Sequence, residues 1–284
     1  MQLVLLAAGH GRRFGGLKQL ARVGPSGEAL MDYTARDALA AGFGGVILIV
    51  REEIQSELLE HIGSFWPAGL PVVPVVQGPI AGTAQAVESA RPFLDGPFGV
   101  ANADDLYGAP ALSTLADHLV HGSPGDHALV GYHLRDTVIT DSPVTRGLCE
   151  TDKEGFLARI VEQRMQRLPD GAFDGSPVAG PDAGRLRRLS GDEQVSMNLW
   201  GFAASILDEL DSALDAFDPE TAPHDEGKPP ELLLPEVVGR IVAEGRARFR
   251  VVASNSRCIG LTHPDDLPLV RSLVAEGLGG SGVP

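Results

Sequence analysis

The stretch LLAAGHGRRFGGLKQL, residues 5–20, decides the fold. It follows directly on a short apolar run, residues 3–6, of the kind that forms a strand buried on both faces. Gly9, Gly11, Gly15 and Gly16 let the backbone come close to a ligand, and their amides can form a concave anion site. Arg12, Arg13 and Lys18 place cations in the same loop. A buried strand running into a cationic glycine loop predicts a phosphate-binding turn at the carboxyl end of an open α/β sheet.

Three other readings of the loop compete with this one. A dinucleotide fingerprint needs G-x-G-x-x-G opening a helix and an acid ending the second strand. Here the spacing is G-x-G-x-x-x-G, helical spacing resumes only near Ala29, and the second apolar run is followed by Arg51, with Glu52 next. A Walker A loop needs G-K-[ST], which is absent. The last reading is a solvated surface loop. Four glycines and three cations directly after a buried strand speak against it.

Outward from the loop, apolar runs recur at residues 46–50 (VILIV), 72–76 and 98–101. Helical spacing fills about 30–41, 53–62 and 84–90 between them. This alternation predicts a parallel sheet with crossover helices. The second half changes character. Residues 127–134, 144–151, 156–161 and 195–202 read as strands without regular helices between them. Residues 166–192 are rich in Gly, Pro and Asp and have no periodicity, so they read as a long loop or lid. Helices are expected at 204–217 and 231–244, and a late strand at 249–253. A final helix is expected from Pro264 to Glu276, with Asp265 and Asp266 favourable at its start. Residues 278–284 read as a disordered tail. The expected fold is therefore α/β: a Rossmann-like mixed, mostly parallel sheet flanked by helices, with a substrate-facing lobe. A single domain is expected over 1–277, made of a ligand-binding half, 1–125, and a second half, 126–277.

Composition narrows the function classes. The formal net charge is −15, from 38 acidic and 23 basic residues. That disfavours sequence-independent nucleic-acid binding, which runs on Lys and Arg neutralising phosphates. Cys149 and Cys258 form no zinc-ligand spacing and no disulfide framework. No apolar stretch approaches the roughly 18 residues of a membrane span. The first residues lack the basic flank of a secretion signal. A soluble cytoplasmic protein without nucleic-acid or membrane partners is expected, and a homo-oligomer is compatible with the sequence.

LAAGHGRRFGGLK, residues 6–18, resembles the L-A-A-G-x-G-[TS]-R-x…K signature of the sugar-nucleotide pyrophosphorylase-like nucleotidyltransferases. GGLKQL followed by VGPSGEALMDYTARDA resembles a bacterial branch of that superfamily. The likeness covers most of the chain and is strongest over 3–108. It implies the nucleotide-diphospho-sugar transferase (GT-A-like) variant of the fold, with Mg²⁺ as cofactor. By this resemblance Arg13 meets the departing β,γ-phosphates and Lys18 stabilises charge on the α-phosphate. Ala8, Gly9, Gly11 and Arg12 line the nucleotide. Arg12 stands where the family has Thr or Ser.

Three further stretches carry the resemblance. In VVQGPIAGTAQAV, residues 75–87, the Gln77 amide offers a donor and an acceptor. The family implies that Gln77, Gly82 and Thr83 read a pyrimidine edge; the alternative makes Thr83 a helix N-cap. VANADDLYG, residues 100–108, puts acids past the end of a central strand. The likeness makes Asp104 the metal ligand, with Asp105 the nearest alternative; a capped turn before a helix at Ala109 is the structural reading. RGLCETDKEGFLARIVEQR, residues 146–164, resembles the stretch ending in the family's acceptor-binding Glu-Lys pair. Glu162 matches the glutamate, Gln163 stands where the lysine belongs, and Arg164 is one place late.

The remaining positions follow. In VSMNLWGF, residues 195–202, Asn198 is the expected acceptor contact, while Trp200 is either core or a stacking wall. His133 and Arg135 read equally well as solvated strand residues. RCIGLTHPDD, residues 257–266, lacks the second metal Asp of the family's W-x-D-x-G-T. The implied reaction joins a nucleoside triphosphate, UTP before dTTP or CTP, to a small phosphorylated substrate, a sugar 1-phosphate first, releasing pyrophosphate. Two alternatives stand beside it: a cytidylyltransferase for a non-sugar phosphate such as phosphocholine, and a non-catalytic nucleotide or sugar-nucleotide sensor on the same fold.

Overall fold

Strands and helices alternate along the first 102 residues: β1 (Gln2–Leu6), α1 (Leu30–Ala40), β2 (Val46–Val50), α2 (Glu52–Phe65), β3 (Val72–Val76), α3 (Thr83–Glu88) and β4 (Phe98–Asn102). The structure is a computed structural model that describes residues 1–9, 14, 16–79, 82–123, 125–222, 229–261 and 263–278. β1 pairs in parallel with β2 on one side and β4 on the other, and β2 pairs in parallel with β3. Every residue of β2 is buried, as the unbroken VILIV run requires of a strand covered on both faces.

The period of two along each strand divides the core between those faces. Leu3, Leu5, Leu48 and Val50 pack on one side with Ile54, Leu58 and Ile62 of α2 and with Met31, Ala35 and Ala38 of α1. The α2 residues recur every four positions, which puts them on one helical face. Val4, Ile47 and Ile49 turn to the other side and meet Ala84, Ala86 and Val87 of α3.

The second half continues the same sheet. β5 (Asp105–Leu106), α4 (Ala109–His121) and β6 (His127–His133) lead into β7 (Val144–Thr151), β8 (Leu157–Arg167), β9 (Phe173–Pro177), β10 (Arg187–Leu189) and β11 (Gln194–Phe202). Then follow α5 (Ile206–Asp215), α6 (Leu234–Ala243), β12 (Phe249–Ser254), β13 (Ile259–Gly260) and α7 (Leu267–Leu273). The strand order is β10-β9-β8-β7-β11-β4-β1-β2-β3, with β6 joined to β11 and β12. β11 runs antiparallel to β4, with Trp200 opposite Val100 and Phe202 opposite Phe98. The result is the mixed sheet that the alternation predicts, extended by a meander, β7 to β10.

That meander corrects one expectation. Residues 166–192 are not an irregular loop throughout: β8 runs on to Arg167, and β9 and β10 are antiparallel strands. Their pairing partners are Met165 opposite Gly175 and Leu189 opposite Phe173, and it is these contacts that hold them. Gly175 admits the approach, since a Cβ there would press into Gln163 Oε1 and Leu189 Cδ1. Two helix bounds shift as well. The expected 231–244 helix begins at Leu234, and the final α-helix is only Leu267–Leu273, followed by a π turn. Asp265 and Asp266 do sit at a helix start, where Asp266 Oδ2 accepts from the His263 amide at 2.7 Å. Among the described residues no helix is long and apolar enough to cross a membrane.

Candidate active site

The carboxyl ends of β1 and β4 lie side by side, with Leu6 opposite Asn102. Ala7 keeps the line of β1 by donating to the Ile49 carbonyl at 2.8 Å. Two side chains then catch the carbonyls of the loop's entrance. Gln19 Nε2 donates to Ala7 and to Gly9, both at 2.8 Å, and Arg51 Nε donates to Ala8 at 2.9 Å. Sequence reasoning gave Gln19 no role and used Arg51 only to exclude a dinucleotide site. The signal for Gln19 was its place beside Lys18: the buried Gln19 fixes the short 3₁₀ turn Lys18–Leu20 and with it the direction of the lysine. Gly11, Arg12 and Arg13, expected to line the nucleotide, lie outside the described residues.

Lys18 Nζ stands 2.5 Å from Asp104 Oδ2, and both side chains remain partly accessible. This pair joins the glycine loop to the turn after β4. Asp105 turns the other way. Its side chain is buried, with Oδ2 accepting from Asn102 Nδ2 at 2.8 Å and from the Tyr107 hydroxyl at 3.4 Å. Burial, and then the neighbouring Asp104 charge, push its carboxyl up to about 6. Two adjacent acids, one in the turn after β4 and one opening β5, thus have different environments, one beside a cation and one in a hydrogen-bonded niche.

Lys18, Asp104 and Asp105 share a cleft of about 230 Å³ with Arg146, Glu162 and Asn198. Glu162 and Asn198, expected from the sequence at the acceptor, therefore share one space with Lys18 and Asp104. Asn198 has φ 58 and sits where the β11 register with β6 shifts between Ser196 and Trp200. A bulge of this kind re-aims a side chain. Its Oδ1 accepts from Trp200 Nε1 at 3.0 Å, which leaves the amide nitrogen to donate into the cleft. Trp200 itself is fully buried and stacks on Phe202, so it belongs to the core. Glu162 is half-buried, and burial raises its carboxyl above the usual range. Glu236 is raised as well, by burial first and by Glu162 next. Gln163 is buried and does not line the cleft. His133 and Arg135 bond to Asp192 outside it.

Gln77, Gly82 and Thr83 form a second group, apart from the lining of this cleft. Gln77 Nε2 donates to the Gly82 carbonyl at 3.1 Å. Gly82 has φ 114, and a Cβ there would overlap the Leu232 backbone. The Thr83 hydroxyl accepts from the Leu234 amide at 2.8 Å, so it caps α6 rather than its own helix. Both cysteines are free and buried. Among the described residues no three His, Cys, Asp or Glu side chains group around a common metal position.

Residues 3–142 match the MobA-like NTP transferase domain. This part of the chain belongs to that nucleotidyltransferase family. No curated protein sequence matches the chain. Solved structures match along nearly its full length. The inositol-1-phosphate CTP transferase from T. maritima superposes with a TM-score of 0.67 at 15% identity, covering 97% of this chain and 96% of that one. A Bacillus anthracis protein assigned as a glucose-1-phosphate thymidylyltransferase, in complex with sucrose, gives 0.66 at 13% identity, covering 96% and 94%. At these identities the likeness establishes the fold: the NTP transferase architecture extends past the family match through the β7–β10 meander to α7.

Proposed function

We propose that this protein transfers a nucleotidyl group from a pyrimidine nucleoside triphosphate, UTP before CTP or dTTP, to the phosphate of a sugar or cyclitol phosphate, releasing pyrophosphate. The observation that carries the reading is the Lys18–Asp104 pair at the ends of β1 and β4, facing Glu162 and Asn198 across one cleft. An acceptor phosphate oxygen attacks the α-phosphorus in line, and pyrophosphate leaves from the opposite side. The acceptor phosphate is already ionised, so no protein nucleophile is needed. Lys18 stabilises the charge that grows on the α-phosphoryl oxygens, and the loop amides hold the departing phosphates.

The donor set fits a divalent cation. Mg²⁺ binds through one or two carboxylates together with substrate phosphates rather than in an all-protein cage. Asp104, accessible at the cleft, would hold such an ion, which would supply charge neutralisation between the phosphates. Asp105 is the less suitable ligand, because Asn102 and Tyr107 already occupy its carboxylate.

The lining of the cleft favours a polyol over a quaternary ammonium acceptor. Glu162 and Asn198 suit hydroxyl groups, and among the described residues no aromatic side chain lines the cleft to form the cage that such a cation prefers. The names of the two matched structures, an inositol-phosphate and a glucose-phosphate nucleotidyltransferase, support the same choice. The test is pyrophosphate release over a panel of triphosphates, each with glucose 1-phosphate, myo-inositol 1-phosphate or phosphocholine, in Mg²⁺. Turnover is expected with a pyrimidine triphosphate and a polyol phosphate. Turnover with phosphocholine alone would move the acceptor class. Nucleotide binding with no turnover on any acceptor would favour a sensor. ATP and UTP protecting the protein equally against unfolding would remove the pyrimidine assignment.

A further inference from the structure

Five charged residues line the described part of the cleft: Lys18, Asp104, Asp105, Arg146 and Glu162. Lys18 is neutralised by Asp104. Arg146 makes no ion pair among the described residues, and Asp105 acts on its guanidinium only from beyond ion-pair distance. Its Nη1 donates to the Thr145 carbonyl at 2.9 Å and its Nη2 to Thr137 at 3.0 Å. Its Nε is buried and has no acceptor. Burial disfavours its charge, with only partial relief from Asp105 and Cys258. A half-buried guanidinium held by two carbonyls, with its Nε unpartnered and no carboxylate within ion-pair distance among the described residues, is suited to take an anion from outside. Arginine in a fixed orientation suits phosphate in particular, because its planar fork can bind two oxygens at once.

The place of Arg146 in the cleft says which anion. Arg146 on β7 lies directly opposite Gln163 on β8, and Gly147 lies opposite Glu162. Neighbouring rungs point to opposite faces of the sheet, so it is the cleft lining, shared by Arg146 and Glu162, that puts both side chains at its meander wall. Lys18 and Asp104 line the same cleft. Resting on the nucleotidyltransferase reading above, we propose that Arg146 binds the phosphate of the second substrate, while Lys18 serves the nucleotide. The acceptor's cation is thus supplied from β7, across the ladder from Gln163, which carries no charge.

Binding constants for inorganic phosphate, glucose 1-phosphate and myo-inositol 1-phosphate, measured by calorimetry beside those for Mg·UTP and Mg·CTP, test this. Arg146→Gln is expected to weaken the phosphate probes about tenfold or more and to leave nucleotide affinity within about threefold. The split between the two ligand classes is the readout that a merely structural arginine would not give. If Arg146→Gln does not fold, Arg146→Lys decides: it keeps the charge but loses the fork, and a severalfold weaker hold on phosphate is expected. Unchanged phosphate affinity in the variant that folds would overturn the proposal. So would an equal loss for nucleotide and acceptor, or a parent protein that binds none of the phosphate probes. The reading on which the proposal rests fails separately, through a parent that binds phosphate but no nucleoside triphosphate.

Discussion

Lys18 and Asp104 are joined by geometry, yet they do little for stability, because a pair this accessible adds about 1 kcal/mol or less. Lys18→Ala is therefore expected to cost turnover rather than fold. A loss of about a hundredfold, near 3 kcal/mol in the barrier, is the ordinary effect of removing one electrostatic stabiliser. Rate and melting temperature measured on the same preparation check it, and a near-normal rate would remove Lys18 from the phosphate site. Asp37 behaves in the opposite way. It is buried on α1 with Oδ2 unpartnered, and burial pushes its carboxyl up to about 6, with Arg36 only partly opposing. The folded protein thus keeps a proton that the unfolded chain releases near pH 4. Stability from this group is greatest below that pH, falls as pH rises towards 6, and is level above. Asp37→Asn is expected to flatten that fall and to raise stability at pH 7–8, by on the order of 3 kcal/mol at most. Denaturant midpoints of both proteins from pH 4 to 8 read the difference. A parallel pair of curves would refute the buried-charge account.

At the scale of elements, legibility followed the range of the forces involved. β1, β2 and β4 were readable because an apolar run declares burial by itself, and β2 is buried at every position. The β9 and β10 strands were not readable. Phe173, Gly175 and Leu189 become a strand pair only against β8 and each other, far along the chain. The site divides in the same manner. Lys18, Asp104, Glu162 and Asn198 carry recognisable residue types, and they line one cleft. Gln19 and Arg51 act through backbone carbonyls, which leave no trace in the residue pattern. Thr83 shows how a motif residue can serve a distant element: its hydroxyl takes the Leu234 amide at the start of α6. Thr83→Val keeps the shape and removes that acceptor. It is expected to cost about 1–2 kcal/mol and to speed hydrogen exchange at the Leu234 amide above its neighbours. Unchanged exchange there would mean that α6 holds its start without α3.

At the scale of the whole molecule, the family match ends at residue 142, but the sheet does not. β4 is central, and its outer edge is closed by β11, from the second half. β6 lies inside the matched range, yet both its neighbours, β11 and β12, lie outside it. The core crosses the same line: Phe98, Val100 and Leu129 pack with Trp200, Phe202, Val237 and Phe249. A fragment ending at residue 142 would expose the edge of β4, strand β6 without partners, and the apolar faces beneath α5 and α6. Open edges beside exposed apolar surface favour association over folding. The single-domain reading of residues 1–277 therefore makes a definite claim. The fragment 1–142 is expected to aggregate or to lack a cooperative melting transition, while 1–277 is expected to melt in one step at the temperature of the full chain. Calorimetry on the three proteins decides it. A soluble 1–142 fragment with its own sharp transition would show two folding units, with the acceptor wall docked onto an independent nucleotide domain.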